Sequence, residues 1–140
     1  MKKTFLDIVK ISFKNNLIKP FNGAISYKKA NQGMFYITGN NIINKKSNPD
    51  IHTIFVEKEY YEINEITKNS VTQDINLHGF TMIKHFDEDI VLLQPTEESL
   101  FEKNLMNNNY KDYDINILNF DDKILFQSNP ISLYNFLISL

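Results

Sequence analysis

The chain has 140 residues, of which 42% are hydrophobic, and a formal net charge of −2. This length and composition predict a single domain over residues 1–140 that buries a sizeable core. The absence of Cys excludes disulfides and thiolate metal sites, and the absence of Arg argues against a reader of nucleic acid. The apolar runs are too short to span a bilayer and no export signal is visible. We therefore expect a cytoplasmic protein with no nucleic-acid partner and no membrane partner.

The first half of the chain predicts one helix followed by several strands. Residues 4–17 carry an apolar stripe at helical spacing, and Pro20 lies just past the predicted helix end. Strands are predicted over residues 23–27, 34–38, 52–56 and 60–66. After the second strand, the segment 38–41 (Thr-Gly-Asn-Asn) has the composition of a tight turn between strands, because Gly and Asn tolerate positive φ.

A helix followed by a buried strand is predicted between residues 70 and 95. Ser70 and Gln73 have the spacing of a capping box, so we expect the helix to begin near residue 71. Its inward face carries residues at about helical spacing, namely Ile75, Leu77, His78, Met82 and Phe86. The acidic run 87–89 then ends the helix. Residues 90–93 are a continuous apolar run, which is typical of a strand buried on both faces.

The last third predicts a helix, a strand pair and a final helix. Thr96 caps a helix that extends to about residue 106, with Glu97 and Glu98 in the first turn, where the helix dipole favours negative charge. Residues 107–109 are predicted as a loop, and strands follow over residues 115–120 and 123–126. The segment 128–130 (Ser-Asn-Pro) starts the last helix, with a capping side chain before Pro.

Several of these segments resemble the class II aldolase/adducin family. Residues 23–26 (Gly-Ala-Ile-Ser) resemble a Gly-Asn-hydrophobic-Ser motif, although Ala24 stands where the family has a phosphate-binding Asn. Residues 38–41 lie where the family has a phosphate loop, and residues 48–50 match the turn before the next strand. The resemblance implies an α/β fold with three α/β/α layers and a central, mainly antiparallel sheet, in a chain shortened at its C-terminus. The hairpin-length connections favour the same sheet.

The resemblance also implies a site. A count without gaps puts Asp74 where the family has the Glu that moves a proton, with His78 four residues later. A small phosphorylated ligand would contact the matched motifs at Gly23, Ser26, Asn40, Asn41, Thr72 and Gln73. The residues alone leave Asp74 another role, since a carboxylate near a helix start caps the helix or interacts favourably with its dipole.

The same count puts Leu93 and Pro95 where the family has two zinc-binding His. Leu offers no lone pair, and Pro offers neither a side-chain ligand nor an N–H. A family-type zinc site is therefore excluded, and no cofactor is predicted. No Lys falls inside the matched motifs to replace the metal, the nearest being Lys68 and Lys84.

The three histidines of the chain, His52, His78 and His85, make a poor ligand set in the absence of Cys. On one helix, His78 and His85 lie two turns apart, which separates their Cα atoms by about 10.5 Å. His78 is instead predicted to be a hydrogen-bonded residue of the core or of an interface.

Three functions are left open. The first is a catalytically degenerate aldolase-like protein used for binding or assembly, which explains the lost ligands and the shortened chain together. The second is a lyase or isomerase of a small sugar phosphate with a site rebuilt around Asp74, Thr72 and Gln73. The third is a noncatalytic subunit in a hetero-oligomer with an active relative. A homo-oligomer is expected, because the family builds tetramers and a lone subunit would expose apolar residues such as Phe136, Leu137 and Leu140.

Overall fold

The computed structural model describes residues 2–57, 59–102, 105–107 and 109–140, and these ranges contain seven strands and five α-helices. The strands are β1 (Ala24–Lys28), β2 (Met34–Ile43), β3 (Pro49–Val56), β4 (Tyr61–Glu62), β5 (Ile90–Gln94), β6 (Asn116–Phe120) and β7 (Lys123–Ser128). The helices are α1 (Lys2–Lys14), α2 (Glu65–Ser70), α3 (Ile75–Lys84), α4 (Glu97–Glu102) and α5 (Pro130–Ser139). Two short 3-10 helices, Leu105–Asn107 and Tyr110–Tyr113, lie between α4 and β6.

The strands form one sheet in the order β4-β3-β2-β1-β5-β7-β6. Every neighbouring pair is antiparallel, which agrees with the short connections within β1–β2, β2–β3 and β6–β7. The prediction of a mixed α/β protein with a mainly antiparallel sheet is therefore confirmed. Residues from four of the predicted strands all lie in this sheet, namely Ile25, Phe35, Ile54 and Val91.

Helices α1 and α5 pack on one face of the sheet. Their apolar side chains and alternate strand residues form one buried cluster, which includes Phe5, Ile8, Ile25, Val91, Leu93, Phe126 and Leu133. Phe136 and Leu137 belong to this cluster and are only 1% and 4% exposed. The prediction that these two residues form a surface needing cover is wrong, because α1 and the sheet cover them. Leu140, at 47% exposed, remains outward.

Helix α3 packs on the opposite face of the sheet. Ile75 and Met82 contact a second buried cluster, which includes Ala24, Phe35, Ile37, Ile54 and Leu92. Both faces of β5 are thus covered, which confirms the prediction made from the apolar run 90–93. The alternation along β5 also directs Leu93 to the α1–α5 face.

The helix predicted from residue 71 begins later. Ser70 is the last residue of α2, and its hydroxyl donates to the Ile66 carbonyl oxygen at 2.7 Å, so the predicted capping box is wrong. Val71 is extended and pairs with Gly39 of β2, and α3 begins at Ile75. The sheet pairing of Val71 thus overrides the local helix signal.

The strand predicted over residues 60–66 is wrong except at β4. Only Tyr61 and Glu62 pair with β3. Helix α2 starts directly afterwards, because the Asn64 side chain accepts a hydrogen bond of 2.8 Å from the N–H of Thr67 and so caps the helix.

Strand β2 continues through the predicted turn at residues 38–41. That prediction is wrong, because the extra length is absorbed by a register shift against β3 between Thr38 and Ile43. The residue with positive φ is Ile42, at 64°, rather than a Gly or Asn of the segment. The irregular end of β2 meets the segment before α3, where the Asn40 side chain lies 3.4 Å from the Asn69 carbonyl oxygen.

The caps predicted in the last third are confirmed. Thr96 Oγ1 accepts from the N–H of Ser99 at 3.1 Å, and Asn129 Oδ1 accepts from the N–H of Ser132 at 2.9 Å. Of the helix predicted over 96–106, the structure describes α4 over Glu97–Glu102 and a 3-10 helix from Leu105. Residues 103 and 104 of that helix, and residue 108 of the predicted 107–109 loop, lie outside the described residues.

The buried Lys28 binds the backbone that follows the C-terminal end of α3. The Lys28 ammonium donates to the carbonyl oxygens of Phe86 and Glu88 and lies 5.1 Å from the centre of the Phe86 ring. Burial lowers the pKa of Lys28 below its usual 10.5, and the neighbouring carboxylates, Asp89 first, partly offset this effect. The helix ends at Lys84, just before the acidic run from which its end was predicted.

Candidate functional site

A polar cleft of about 690 Å³ lies at one end of the sheet. Its walls come from the segment before β1, the irregular end of β2, the connection from α2 to α3, the end of β5, helix α4 and the start of β7. Its volume falls within the range of about 300–1,000 Å³ that is usual for small-molecule sites.

Five of the predicted site residues line this cleft: Gly23, Asn40, Thr72, Gln73 and Asp74. The fold therefore gathers positions that are widely separated in the sequence. The other two do not line the cleft. Asn41 is exposed on β2, while Ser26 is completely buried beneath α3, where it contacts His78.

Asp74 is connected to the core by a chain of side-chain hydrogen bonds. Its Oδ2 accepts from the amide N–H of Gln94 at 2.7 Å. The other end of Gln94 lies 3.0 Å from Nε2 of His78, and Nδ1 of His78 lies 2.7 Å from the Ser26 hydroxyl. Asp74 is also the N-cap residue of α3, but its side chain makes no capping bond, so the capping role considered for it is wrong.

The Asp74 carboxylate fixes the direction of every bond in this chain. An ionised carboxylate only accepts, so Gln94 turns its NH₂ group to Asp74 and its carbonyl oxygen to His78. Nε2 of His78 must then carry the proton, and Nδ1 accepts from the hydroxyl of Ser26. The predicted assignment of His78 as a hydrogen-bonded core residue is confirmed.

His78 is held in its neutral form. Burial lowers its pKa from 6.5 to about 4, because the charged imidazolium would lose its hydration, although the bond to Gln94 and the charge of Asp74 act in the opposite direction. At neutral pH this imidazole therefore orients Gln94 and carries no charge into the site.

Sequence reasoning missed Gln94 and Lys123 as members of the site. The motif count selected Leu93 and Pro95. In the structure Leu93 lies in the α1–α5 cluster, whereas the adjacent Gln94 faces Asp74. Strand alternation, applied to the run 90–93, could have found Gln94. Lys123 Nζ lies 3.9 Å from Asp74 Oδ2, and no local signal indicates this contact, because it depends on β7 pairing with β5.

Gly23 has a backbone reason to be glycine. Its φ is +89°, and a Cβ atom at this position would lie 2.7 Å from the carbonyl oxygen of Gln94. The resemblance gave Gly23 a role in ligand binding. In the structure it allows the chain before β1 to approach the end of β5 closely enough to form the cleft.

The cleft carries more carboxylates than ammonium groups. Its charged lining residues are Lys68, Lys123, Asp74, Glu97, Glu98 and Asp122, which gives a formal charge of −2 from two cations and four anions. Within the described ranges, no group of three or more His, Asp or Glu side chains is placed to hold a metal ion. The cleft therefore offers a ligand neutral amide and hydroxyl groups together with an excess of carboxylates.

None of the helices in the described part of the chain is both long and apolar enough to cross a membrane. No protein-family model matches the chain, and comparison with curated proteins and with solved structures gives no significant match. The fold and the cleft define a mixed α/β protein with a polar cleft at one end of an antiparallel sheet. The resemblance to the class II aldolase/adducin family stays a prediction.

Proposed function

We propose that this chain is a catalytically degenerate protein of the class II aldolase/adducin kind, with that family's three-layer α/β/α arrangement, whose cleft binds a small polar ligand. One observation carries the proposal. Gly23, Asn40 and the run 72–74 match the family's motifs, are widely separated in the sequence, and line one cleft of small-molecule size. Their convergence on one cleft supports a shared ligand site.

Binding is favoured over catalysis by what surrounds Asp74. One of its carboxylate oxygens is already engaged by the Gln94 amide and faces Lys123. Its other oxygen is left for a ligand, but carbon–carbon cleavage also needs a group that stabilises the negative charge, and Leu93, at a metal-binding position of the family, is buried in the core. The bonded arrangement suits a carboxylate that orients neighbouring groups and accepts a hydrogen bond from a ligand.

Amide chemical shifts of ¹⁵N-labelled protein test the proposal. The probes are dihydroxyacetone phosphate, D-glucose and inorganic phosphate, each added alone. Shifts concentrated at Asn40, Thr72, Gln73 and Asp74 are expected for at least one probe. The variant N40A should weaken that binding, and N119A, an exposed Asn outside the cleft, should not. Shifts scattered over the surface, or no shifts with any probe, would remove the basis of the proposal.

A second candidate is the lyase or isomerase rebuilt around Asp74, and the position of Lys123 favours it. No Lys falls inside the matched sequence motifs, yet the Lys123 ammonium lies 3.9 Å from Asp74. The cleft therefore has an ammonium group that can stabilise a developing negative charge. Its side chain is 37% exposed, however, and water screens such a charge. Turnover of a phosphorylated hydroxy-ketone that is lost in both D74N and K123M would support this candidate.

The expected homo-oligomer and the hetero-oligomer with a related subunit also stay predictions. The expectation of an oligomer depends instead on other apolar residues, since Ile66, Phe80 and Phe101 are largely exposed. Light scattering over a wide concentration range gives the mass directly. A monomer mass throughout would contradict self-association, and co-purification from native cells tests the related subunit.

A further inference from the structure

A strained turn places an aromatic ring at the mouth of the cleft. Residues 19–22 form this turn, in which Lys19 and Asn22 exchange two backbone hydrogen bonds of 2.8 and 2.9 Å. Pro20 fixes its own φ near −65°, and Phe21 has φ of +60°, a pair of values that matches a type II turn with Phe21 at the third position. That position normally holds Gly or Asn, because a side chain crowds the backbone when φ is positive.

Burial within the described part of the chain does little to compensate for placing Phe at this position. The residue is 77% exposed, so its ring gains little from burial. Its backbone N–H donates to the Asn40 carbonyl oxygen at 2.7 Å, a bond that Gly or Asn would make equally well. A bulky residue held in a costly conformation and left in water indicates that its ring contacts something from outside the chain.

The surroundings of the ring indicate what it contacts. Phe21 lines the cleft together with neutral side chains that donate and accept hydrogen bonds, namely Asn22, Asn40, Asn69, Thr72 and Gln73. An aromatic face beside several amides and a hydroxyl suits a ligand with one apolar face and many hydroxyl groups.

The charges of the cleft favour a neutral ligand over a phosphorylated one. Lys123 faces Asp74 at 3.9 Å, and Lys19, just outside the lining, pairs with Glu98 at 3.1 Å. The remaining charged residues of the cleft are then Glu97 and Asp122 against Lys68. A phosphate group would meet an excess of carboxylates, whereas a hydroxyl group can donate to them.

We infer that the cleft binds a neutral sugar whose apolar C–H face lies on the ring of Phe21 and whose hydroxyl groups bond to the cleft amides and to Asp74. This inference rests on the proposed function, since it names the ligand class of the same cleft. It replaces the phosphorylated ligand that the family resemblance implied.

The test measures both stability and affinity in variants of Phe21. F21G and F21N remove the ring and suit the positive φ, so both should melt at or above the temperature of the natural protein. D-Glucose, followed by saturation-transfer NMR and by amide shifts, should bind these variants about tenfold more weakly or worse, as the loss of a stacked ring predicts. F21Y keeps the ring and should keep the affinity. F101A, which removes an equally exposed Phe outside the cleft, should change neither.

The outcomes separate this inference from the proposed function. Glucose 6-phosphate or inorganic phosphate binding in the cleft more tightly than D-glucose would overturn the neutral-sugar inference and leave the proposed binding function in place. Equal affinity of F21G and the natural protein for D-glucose would also overturn it, as would a loss of self-association in F21G with sugar binding unchanged. No amide shift at the cleft with dihydroxyacetone phosphate, D-glucose or inorganic phosphate would overturn both the inference and the proposed function.

Discussion

The side-chain amide of Gln94 donates a hydrogen bond of 2.7 Å to Asp74, and this contact determines which nitrogen of a buried histidine carries its proton. Because the carboxylate accepts only, the amide oxygen of Gln94 must face His78, and Nε2 of His78 must donate to it. A partly buried carboxylate thereby sets the tautomer of an imidazole that it does not touch.

The tautomer of His78 is the first prediction. At neutral pH we expect ¹⁵N NMR to show a neutral ring with the proton on Nε2 and an unprotonated Nδ1. D74N should relax this assignment and shift the ¹⁵N signals toward the other tautomer, because the Asn amide can donate to Gln94 as well as accept from it. Q94L removes the acceptor of Nε2 and should change the ¹⁵N shifts. A proton found on Nδ1 of the natural protein would contradict the assigned chain of bonds.

The pH dependence of stability follows from the lowered pKa of His78. His78 binds a proton near pH 6.5 in the unfolded chain but only near pH 4 in the folded chain. Its contribution to the free energy of unfolding is therefore complete above pH 6.5 and is lost as the pH falls toward 4. The loss attributable to this group over that window is about 3 kcal/mol.

Denaturant unfolding from pH 7.5 to 4 measures this loss. H78Q should be less stable at neutral pH, since it disturbs the contacts with Ser26 and Gln94, but its stability should change less over the window. H52N, which removes a partly exposed imidazole, should retain the decline due to His78. A slope in H78Q equal to that of the natural protein would assign the decline to other groups.

Gly23 provides a prediction about the backbone. G23A should lower the free energy of unfolding by more than about 1 kcal/mol, because Ala is strained at positive φ. Its Cβ would also press against the Gln94 carbonyl oxygen at 2.7 Å. G33A is the matched control, since its Cβ would lie at an ordinary 3.4 Å from the nearest atom and its φ is not positive. Equal losses in the two variants, measured by denaturant unfolding, would show that the close approach at Gly23 has no special cost.

Catalysis is the last prediction: we expect no tight zinc binding and no aldolase activity from the isolated protein. Cleavage next to a carbonyl builds negative charge on its oxygen, and a metal ion supplies several kcal/mol of stabilisation there, about tenfold in rate for each 1.4 kcal/mol. Leu93 is buried in the core and Gln94 is occupied by two side chains, so β5 offers no free ligand of the family type. Stoichiometric zinc by metal analysis, with turnover that disappears in D74N, would contradict this prediction.

Part of the cleft could be predicted from the sequence, since short motifs named five of the residues that line it. Local sequence patterns could not predict which of these residues contact one another. They left Asp74 a capping or dipole role at a helix start, beside the proton-moving role implied by the resemblance, whereas the structure bonds it to Gln94. They gave no reason to consider Phe21, whose significance lies in a positive φ and an exposed ring. Such properties depend on the path of the backbone, which residue types alone do not specify.

The sequence by itself determined the elements whose causes are local. The amphipathic stripe of α1, the apolar run of β5 and the caps at Thr96 and Asn129 act through neighbours within a few positions, so they could be predicted. Only the tertiary structure decided the rest. Val71 is extended because it pairs with Gly39, and Lys123 enters the site because β7 pairs with β5. Contacts between distant segments outweighed local propensity there, because a backbone group that pairs with a strand is no longer available to a helix.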